Sequence, residues 1–369
     1  MDRLRSFSIS SFRKSKSIKL FNKIWLAIAA IFIFSTWLTY IVYQLHPELF
    51  FFRSYEFCNS YGCRDEAWSG KEKGDLSRDF AFLYQNSWPT EVSFDRFGFR
   101  SVPTCSPLPQ IIIWGDSYVK GAALSDSETF PWQLSKTINV PTYNGSGGWL
   151  GETLAAPHLS DVKIVIEMRV DRSTANAKLF ANPLEISSFH GPIKLDADVP
   201  NGLGIANPER WHPWFKARRF IQRIWNDLQF IKSHGGSVPE YLYEEWATSD
   251  SLIEKTIEGI QQHAAHLKSK GYEYLFILIP SKQAIYGVDD HIEPQPLTLA
   301  LNDIIMSRLT DLGIRTVDLK RLFQAQKSTH GLFFTTDSHW KPFGVKIAAE
   351  AIGAYLRNEG LLTDVPHCQ

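Results

Sequence analysis

Gln110-Ile111-Ile112-Ile113-Trp114-Gly115-Asp116-Ser117 decides the reading of this chain. A short unbroken apolar run, rich in β-branched residues and cut off by a glycine, is the pattern of a strand buried on both faces. Sheets built from such strands carry their sites outside the carboxyl ends of the strands. Ser117 therefore stands where chemistry is done. Alone, a Gly-Asp-Ser triplet is as readily a turn that caps the next segment.

Working outward, the chain alternates strand and helix patterns. Glu128 to Ile138 reads as a helix with Phe130, Leu134 and Ile138 on one face, and Val140 to Tyr143 as a second strand. Val162 to Met168 and Tyr274 to Ile279 read as a third and a fourth strand, Arg315 to Leu319 as a fifth. Helices are expected over Phe215–Ser233, Leu252–Lys270, Leu299–Leu312 and Pro342–Glu359. Strands that alternate with helices predict an α/β fold, a three-layer parallel sheet over residues 108–363. A proline-rich stretch (Pro183, Pro192, Pro200, Pro208, Pro213) marks an insertion at about 175–250.

The chain has 369 residues, 44% of them apolar, and no net charge, enough to bury a full core. The charge is unevenly spread. Residues 1–23 hold Arg3, Arg5, Arg13, Lys14, Lys16, Lys19 and Lys23 against Asp2, a balance of +6, so the remainder carries −6. A mildly acidic body argues against a nucleic-acid partner. Residues 24–43 hold no charge and are mostly apolar. About 20 such residues in a helix cross roughly 30 Å of hydrocarbon. A cleaved leader has a shorter apolar core of about 7–15 residues and a small-residue cleavage site, and Tyr43-Gln44-Leu45-His46 offers none. The expectation is a basic cytoplasmic tail (1–23), an uncleaved transmembrane anchor (24–43), a juxtamembrane segment (44–107) and an extracytoplasmic domain.

The cysteines Cys58, Cys63, Cys105 and Cys368 all fall on the exported side, where disulfides form. Cys58 with Cys63, and Cys105 with Cys368, is one pairing of three, and the sequence leaves them open. No second Cys-x-x-Cys or histidine pair completes a zinc set, and no cofactor or metal is expected.

Asp337-Ser338-His339-Trp340 lies just before the last helix. In an extended stretch, residues two apart point the same way, so Asp337 can hold His339 by Nδ1. Nε2 is then left to take a proton from a serine hydroxyl. A lone Asp-x-His is usually surface decoration; paired with a strand-end serine it reads as a base. Asn144-Gly145-Ser146-Gly147-Gly148 follows the second strand, and its glycines let backbone N–H groups approach a developing oxyanion. Its bland readings are a tight turn or a glycosylation sequon.

Together these blocks resemble the SGNH (GDSL-like) hydrolase superfamily: a strand running into Gly115-Asp116-Ser117, then Tyr143-Asn144-Gly145, then a C-terminal Asp337-Ser338-His339. The chain looks closest to the branch of alginate-type polysaccharide O-acetylation proteins. The residues that suggest it are Asp337 to Gly344, Ser125 to Leu134, Asn144 to Trp149 and Ile279 to Tyr286. The likeness covers about residues 108–360, with 175–250 poorly matched. It lacks the superfamily's Gly-x-Asn-Asp block and has Glu167-Met168-Arg169-Val170-Asp171-Arg172 instead, which resembles the branch's Glu-and-Arg segment.

The resemblance implies a membrane-anchored O-acyltransferase with Ser117 as nucleophile, His339 as base and Asp337 as its orienter. Oxyanion or substrate contacts fall to Gly147, Gly148, Asn144, Arg169 or Arg172; an ion pair is the equal alternative for the arginines. It further implies a polysaccharide acceptor and a membrane-bound O-acyltransferase partner that supplies acetyl groups. An esterase with the same triad is the first alternative, a non-catalytic polysaccharide-binding or scaffold protein the second. Other candidates have plain readings. Lys282 and Tyr286 are expected to be a solvated lysine and a core-edge tyrosine, and His263 and His266 a solvated helix face. Trp211, His212, Trp214 and Trp225 read as packing of the insertion before a sugar platform.

Overall fold

The computed structural model describes residues 67–84, 86–102, 108–146, 150–174, 213–236, 248–287, 296–327 and 331–362, with Asp65 and scattered helical positions between Lys23 and Ile41. The expected anchor falls largely outside these residues, as do the four cysteines and residues 175–212. Among the described residues no helix is long and apolar enough to cross a membrane.

Among the described residues four parallel strands form the central sheet: β3 (Ile111–Gly115), β4 (Thr142–Asn144), β5 (Ile164–Val170) and β6 (Glu273–Ile279), in the spatial order β4-β3-β5-β6. Their side chains alternate between two cores. Ile111 and Ile113 of β3, Ile164, Ile166 and Met168 of β5 and Leu275, Ile277 and Ile279 of β6 face one side. There they meet α2 (Phe130–Ile138) and α10 (Pro342–Asn358) through Leu134, Ile138, Val345 and Ile352. Ile112, Trp114, Val165, Phe276 and Leu278 face the other side, against α6 (Asp250–Ser269) and α8 (Pro296–Asp311) through Ile253, Ile257, Ile260 and Ile305. Burial on both faces is why these strands read as continuous apolar runs.

The chain leaves β3 toward β4 on one side, then crosses over to β5 on the other. The switch in direction opens a crevice at the carboxyl ends of β3 and β5. Two short helices start there, α1 (Ser117–Lys120) after β3 and α4 (Asp171–Thr174) after β5. The remaining helices are α3 (Leu150–Leu154), α5 (Pro213–Ser233), α7 (Lys282–Tyr286) and α9 (Leu319–Gln326).

Two expectations need correction. The fifth strand shrinks to one bridge between Phe276 and Thr316. Asp318 caps α9 by accepting from Arg321 N at 2.9 Å, which turns the chain into helix before a ladder can extend. The segment read as juxtamembrane is structured from residue 67. β1 (Ala67–Lys73) and β2 (Ser87–Ser93) pair antiparallel, with a 3₁₀ turn over Asp75–Asp79 between them. This hairpin is fastened to the sheet domain. Trp88 stacks on Phe334 at 4.2 Å, and buried Arg100 donates to Gly121 O, Leu124 O and the Asp126 carboxylate.

Candidate active site

The loop after β3 is held by its neighbours. A Cβ at Gly115 would lie 2.2 Å from Met168 O, so only glycine lets β3 and β5 end this close together. Asp116 caps α1: Oδ1 accepts from Tyr118 N at 3.0 Å, while Oδ2 accepts from Val170 N at 2.8 Å and Ser173 Oγ at 3.1 Å. Ser146 Oγ–H is shared between Gly115 O and Asp116 O, both at 2.9 Å. With its backbone pinned from three sides, Ser117 opens α1 with its side chain exposed.

The imidazole arrives on a second loop. An antiparallel bridge between Phe333 and Trp340, with Lys341 N donating to Leu332 O at 2.8 Å, closes a turn that projects residues 335–339. Fully buried Trp340 anchors it against the rings of Tyr118 and Phe130. His339 Nε2 lies 2.7 Å from Ser117 Oγ, and Nδ1 lies 2.5 Å from Asp337 Oδ1. The same oxygen accepts from His339 N at 2.8 Å. An ionised carboxylate only accepts, so Asp337 fixes the proton on Nδ1 and leaves the Nε2 lone pair aimed at the serine hydroxyl.

Four further groups support this pair. Tyr118 places its ring 4.6 Å from the imidazole and donates its hydroxyl to Ser338 O. Burial raises its phenol far above the usual range, so it stays a donor. Arg172 Nη2 donates to Ser338 Oγ at 2.9 Å. Lys282 Nζ donates to Thr335 O at 3.0 Å, and burial lowers its pKa to about 7 against the pull of Asp337 and Asp75. Asp75, from the turn between β1 and β2, accepts from Ser338 N at 2.7 Å and from Ser338 Oγ, while its own N–H donates to Asp337 Oδ2 at 2.7 Å.

Sequence reasoning missed Asp75, Tyr118 and the role of Ser338. The adjacency of Tyr118 to Ser117 was a usable signal. Nothing local marks Asp75, whose partner lies 262 residues away.

The structure brings Ser117, Asp337 and His339 together, and it moves other candidates away. Asn144 is fully buried; its Nδ2 donates to Val119 O at 3.0 Å and its Oδ1 accepts from Ser146 N at 3.1 Å. It braces two loops and presents nothing to a substrate. Arg169 points to the opposite face of the sheet, where its guanidinium lies 4.1 Å from the Trp114 ring and Nε donates to Glu167 Oε1 at 3.1 Å. The alternation of β5 sends residues 167 and 169 away from the crevice. Arg172 stays near the site, where it donates to Ser338 Oγ and its guanidinium lies 5.4 Å from the Tyr118 ring.

His263 is not on a solvated face. It is buried and bonded to Glu167 Oε2 at 2.8 Å, as is Tyr274. Lys282 is likewise buried, and Tyr286 packs at the core edge near Phe333. Gly147, Gly148, Trp211 and His212 lie outside the described residues, as does the side chain of Trp214; Trp225 is exposed.

Residues 240–368 match the family described as "SGNH hydrolase-like domain, acetyltransferase AlgX". The match is confined to the C-terminal third of this chain. It takes in Asp337 and His339 and stops short of Ser117, which stands at the end of β3.

Relatives named "Probable alginate O-acetylase AlgJ" align too. The one from Pseudomonas aeruginosa is 28% identical over 189 residues, 46% of this chain and 47% of the relative. The one from Pseudomonas syringae is 25% identical over 166 residues, 41% and 42% of the two chains. The chain thus spans about half the length of the curated relatives it matches. Among solved structures, the lipase/acylhydrolase from Enterococcus faecalis covers 68% of this chain and 97% of its own, at 10% identity and a TM-score of 0.36.

Proposed function

We propose that this chain is an O-acyltransferase that works through an acyl-enzyme on Ser117 and passes an acetyl group to a polysaccharide hydroxyl. One observation carries the reading: a serine hydroxyl, an imidazole and a carboxylate in series, at 2.7 and 2.5 Å. His339 Nε2 takes the Ser117 proton as Oγ attacks the donor's acyl carbon. Asp337 stabilises the imidazolium, and the leaving group departs with that proton. A sugar hydroxyl, deprotonated by the same nitrogen, then takes the acyl group and frees Ser117. The Ser117 amide, in the first turn of α1 where helix N–H groups have no intrahelical acceptor, is the first oxyanion donor; Gly147 or Gly148 supplies the second.

The relatives' name supports acetyl as the group and a polysaccharide as the acceptor. The uncharged stretch 24–43 supports a single anchor, with the tail cytoplasmic and the domain outside the membrane. A single anchor helix moves no acetyl donor across a bilayer, so a multi-spanning membrane-bound O-acyltransferase is the partner that supplies it.

The exposure of Ser117 suits a polymer and also admits water, which favours hydrolysis as the second reading. A chromogenic acetate ester with and without added oligosaccharide separates them. Acetyl recovered on sugar supports transfer, and acetate released at the same rate in both supports the esterase. Ser117→Ala is expected to abolish either activity with an unchanged melting temperature. Full activity in that variant removes the nucleophile.

A further inference from the structure

The turn over Asp75–Asp79 reaches the base through a reciprocal clasp. Asp75 N donates to Asp337 Oδ2 at 2.7 Å, the carboxylate oxygen turned away from the imidazole. In return, Asp75 Oδ1 accepts from Ser338 N at 2.7 Å, and Leu76 N donates to Thr336 O at 3.2 Å. The approach is so close that a Cβ at Gly74 would lie 2.0 Å from Thr336 O. Asp75 Oδ2 then accepts a hydrogen bond from the Ser338 hydroxyl and stands 3.5 Å from His339 Nδ1.

We propose that Asp75 is a positioning residue of this site, a second carboxylate behind His339 that locks Ser338 and stabilises the imidazolium formed when Ser117 gives up its proton. The proposal rests on the acyl-transfer reading above. A turn used only for packing needs no carboxylate aimed at a catalytic loop; a backbone contact would serve. Here both carboxylate oxygens are engaged on Ser338, and the hydroxyl between them and Arg172 sets the height of the residue that carries the imidazole.

The charges that face His339 come from every element packed on it. They are Asp337 on its own loop, Asp75 on the turn, Arg172 on α4 through Ser338 and Tyr118, Lys282 on α7 beside both carboxylates, Lys341 two residues along the chain, and Asp116 beneath Ser117. Two carboxylates lie nearest the ring nitrogen, and Arg172 stands one bond further out, on Ser338 Oγ.

Asp75→Asn keeps the shape and the acceptor for Ser338 N but removes the charge. The experiment reads the rate of fluorophosphonate labelling of Ser117 against pH, in the full chain. A carboxylate beside an imidazole favours its protonated form, so its loss lets the base go neutral at lower pH. The acid limb is expected to move down by about one unit. The plateau rate is expected to fall about tenfold, the worth of one charge-assisted hydrogen bond. Asp75→Glu is expected to return the limb toward its original position. A profile for Asp75→Asn that superimposes on the wild type overturns the proposal.

If the Asn chain does not fold, Ser338→Ala takes its place. It leaves the charge and removes the hydroxyl, so an unmoved limb with a rate about tenfold lower is expected, and a wild-type rate overturns the proposal. A wild-type chain that does not react with the fluorophosphonate sinks the acyl-transfer reading instead. The His339 imidazole titration by NMR, assigned by its absence in His339→Gln, then still decides on Asp75. A fall of about one unit in Asp75→Asn supports it and an unchanged titration ends it.

Discussion

Asp337 and Asp75 flank one imidazole but hold different parts of it. Asp337 touches Nδ1 directly, whereas Asp75 works through Ser338. Replacing Asp337 by Asn offers Nδ1 a donor as readily as an acceptor, so the ring can flip its tautomer and turn Nε2 into a donor toward Ser117. Turnover is expected to fall by about 10⁴-fold with little change in KM, as measured on an acetate ester. A drop of only a few-fold means that His339 does not depend on Asp337 for its proton placement. The single residue also marks the limit of sequence reading. Ser117, Asp337 and His339 were legible because each sits in a local pattern: a strand end, an alternate-residue pair, a helix start. Asp75 follows an ordinary strand of alternating charge, and its role exists only after folding.

At the scale of one element, β5 shows how alternation divides labour. Its even-numbered residues from Ile164 to Val170 build the core beneath α2 and α10, while Glu167 and Arg169 enter the opposite core with His263, Tyr274 and Trp114. Burial alone would raise the Glu167 pKa. His263, Arg169 and the Tyr274 hydroxyl outweigh it and bring the value to about 2. A carboxylate depressed in the folded state contributes stability above its unfolded value near 4.5, and loses it as pH falls toward 2. That window is worth about 3 kcal/mol. Unfolding free energies from urea titrations at pH 5 and pH 2 are expected to differ by this amount in the wild type. Glu167→Gln should start lower and lose this slope, and an unchanged slope would show that another group governs it.

The same face settles two readings. Of the alternatives for Arg169, oxyanion donor or ion pair, the structure shows the ion pair with Glu167. His263, expected on a solvated face because its helix is amphipathic, is buried against the same carboxylate. Each resolves only once the strand's two faces are assigned to two cores. The fifth strand failed for a different reason. The Val317-Asp318-Leu319 run is apolar enough for a ladder, but Asp318 is a better helix cap than a strand residue.

For the whole molecule, the hairpin of β1 and β2 changes what the region before the sheet is for. It is folded, stacked on Phe334 through Trp88, and continuous with the turn that bears Asp75. The proposed topology places the domain outside the membrane. Protease added to spheroplasts is expected to remove the domain and spare the tail, as followed by epitopes at the two ends. A domain protected until the membrane is broken would overturn that topology.

Ser117 and His339 are 222 residues apart in the chain. At about 5–20 residues per second of synthesis, the serine emerges roughly 10–45 s before its histidine. Until the final helix packs beneath Trp340, the hydroxyl is an ordinary alcohol. On the proposed mechanism a half-made chain is therefore chemically silent, and reactivity is switched on when the loop that bears His339 folds into place.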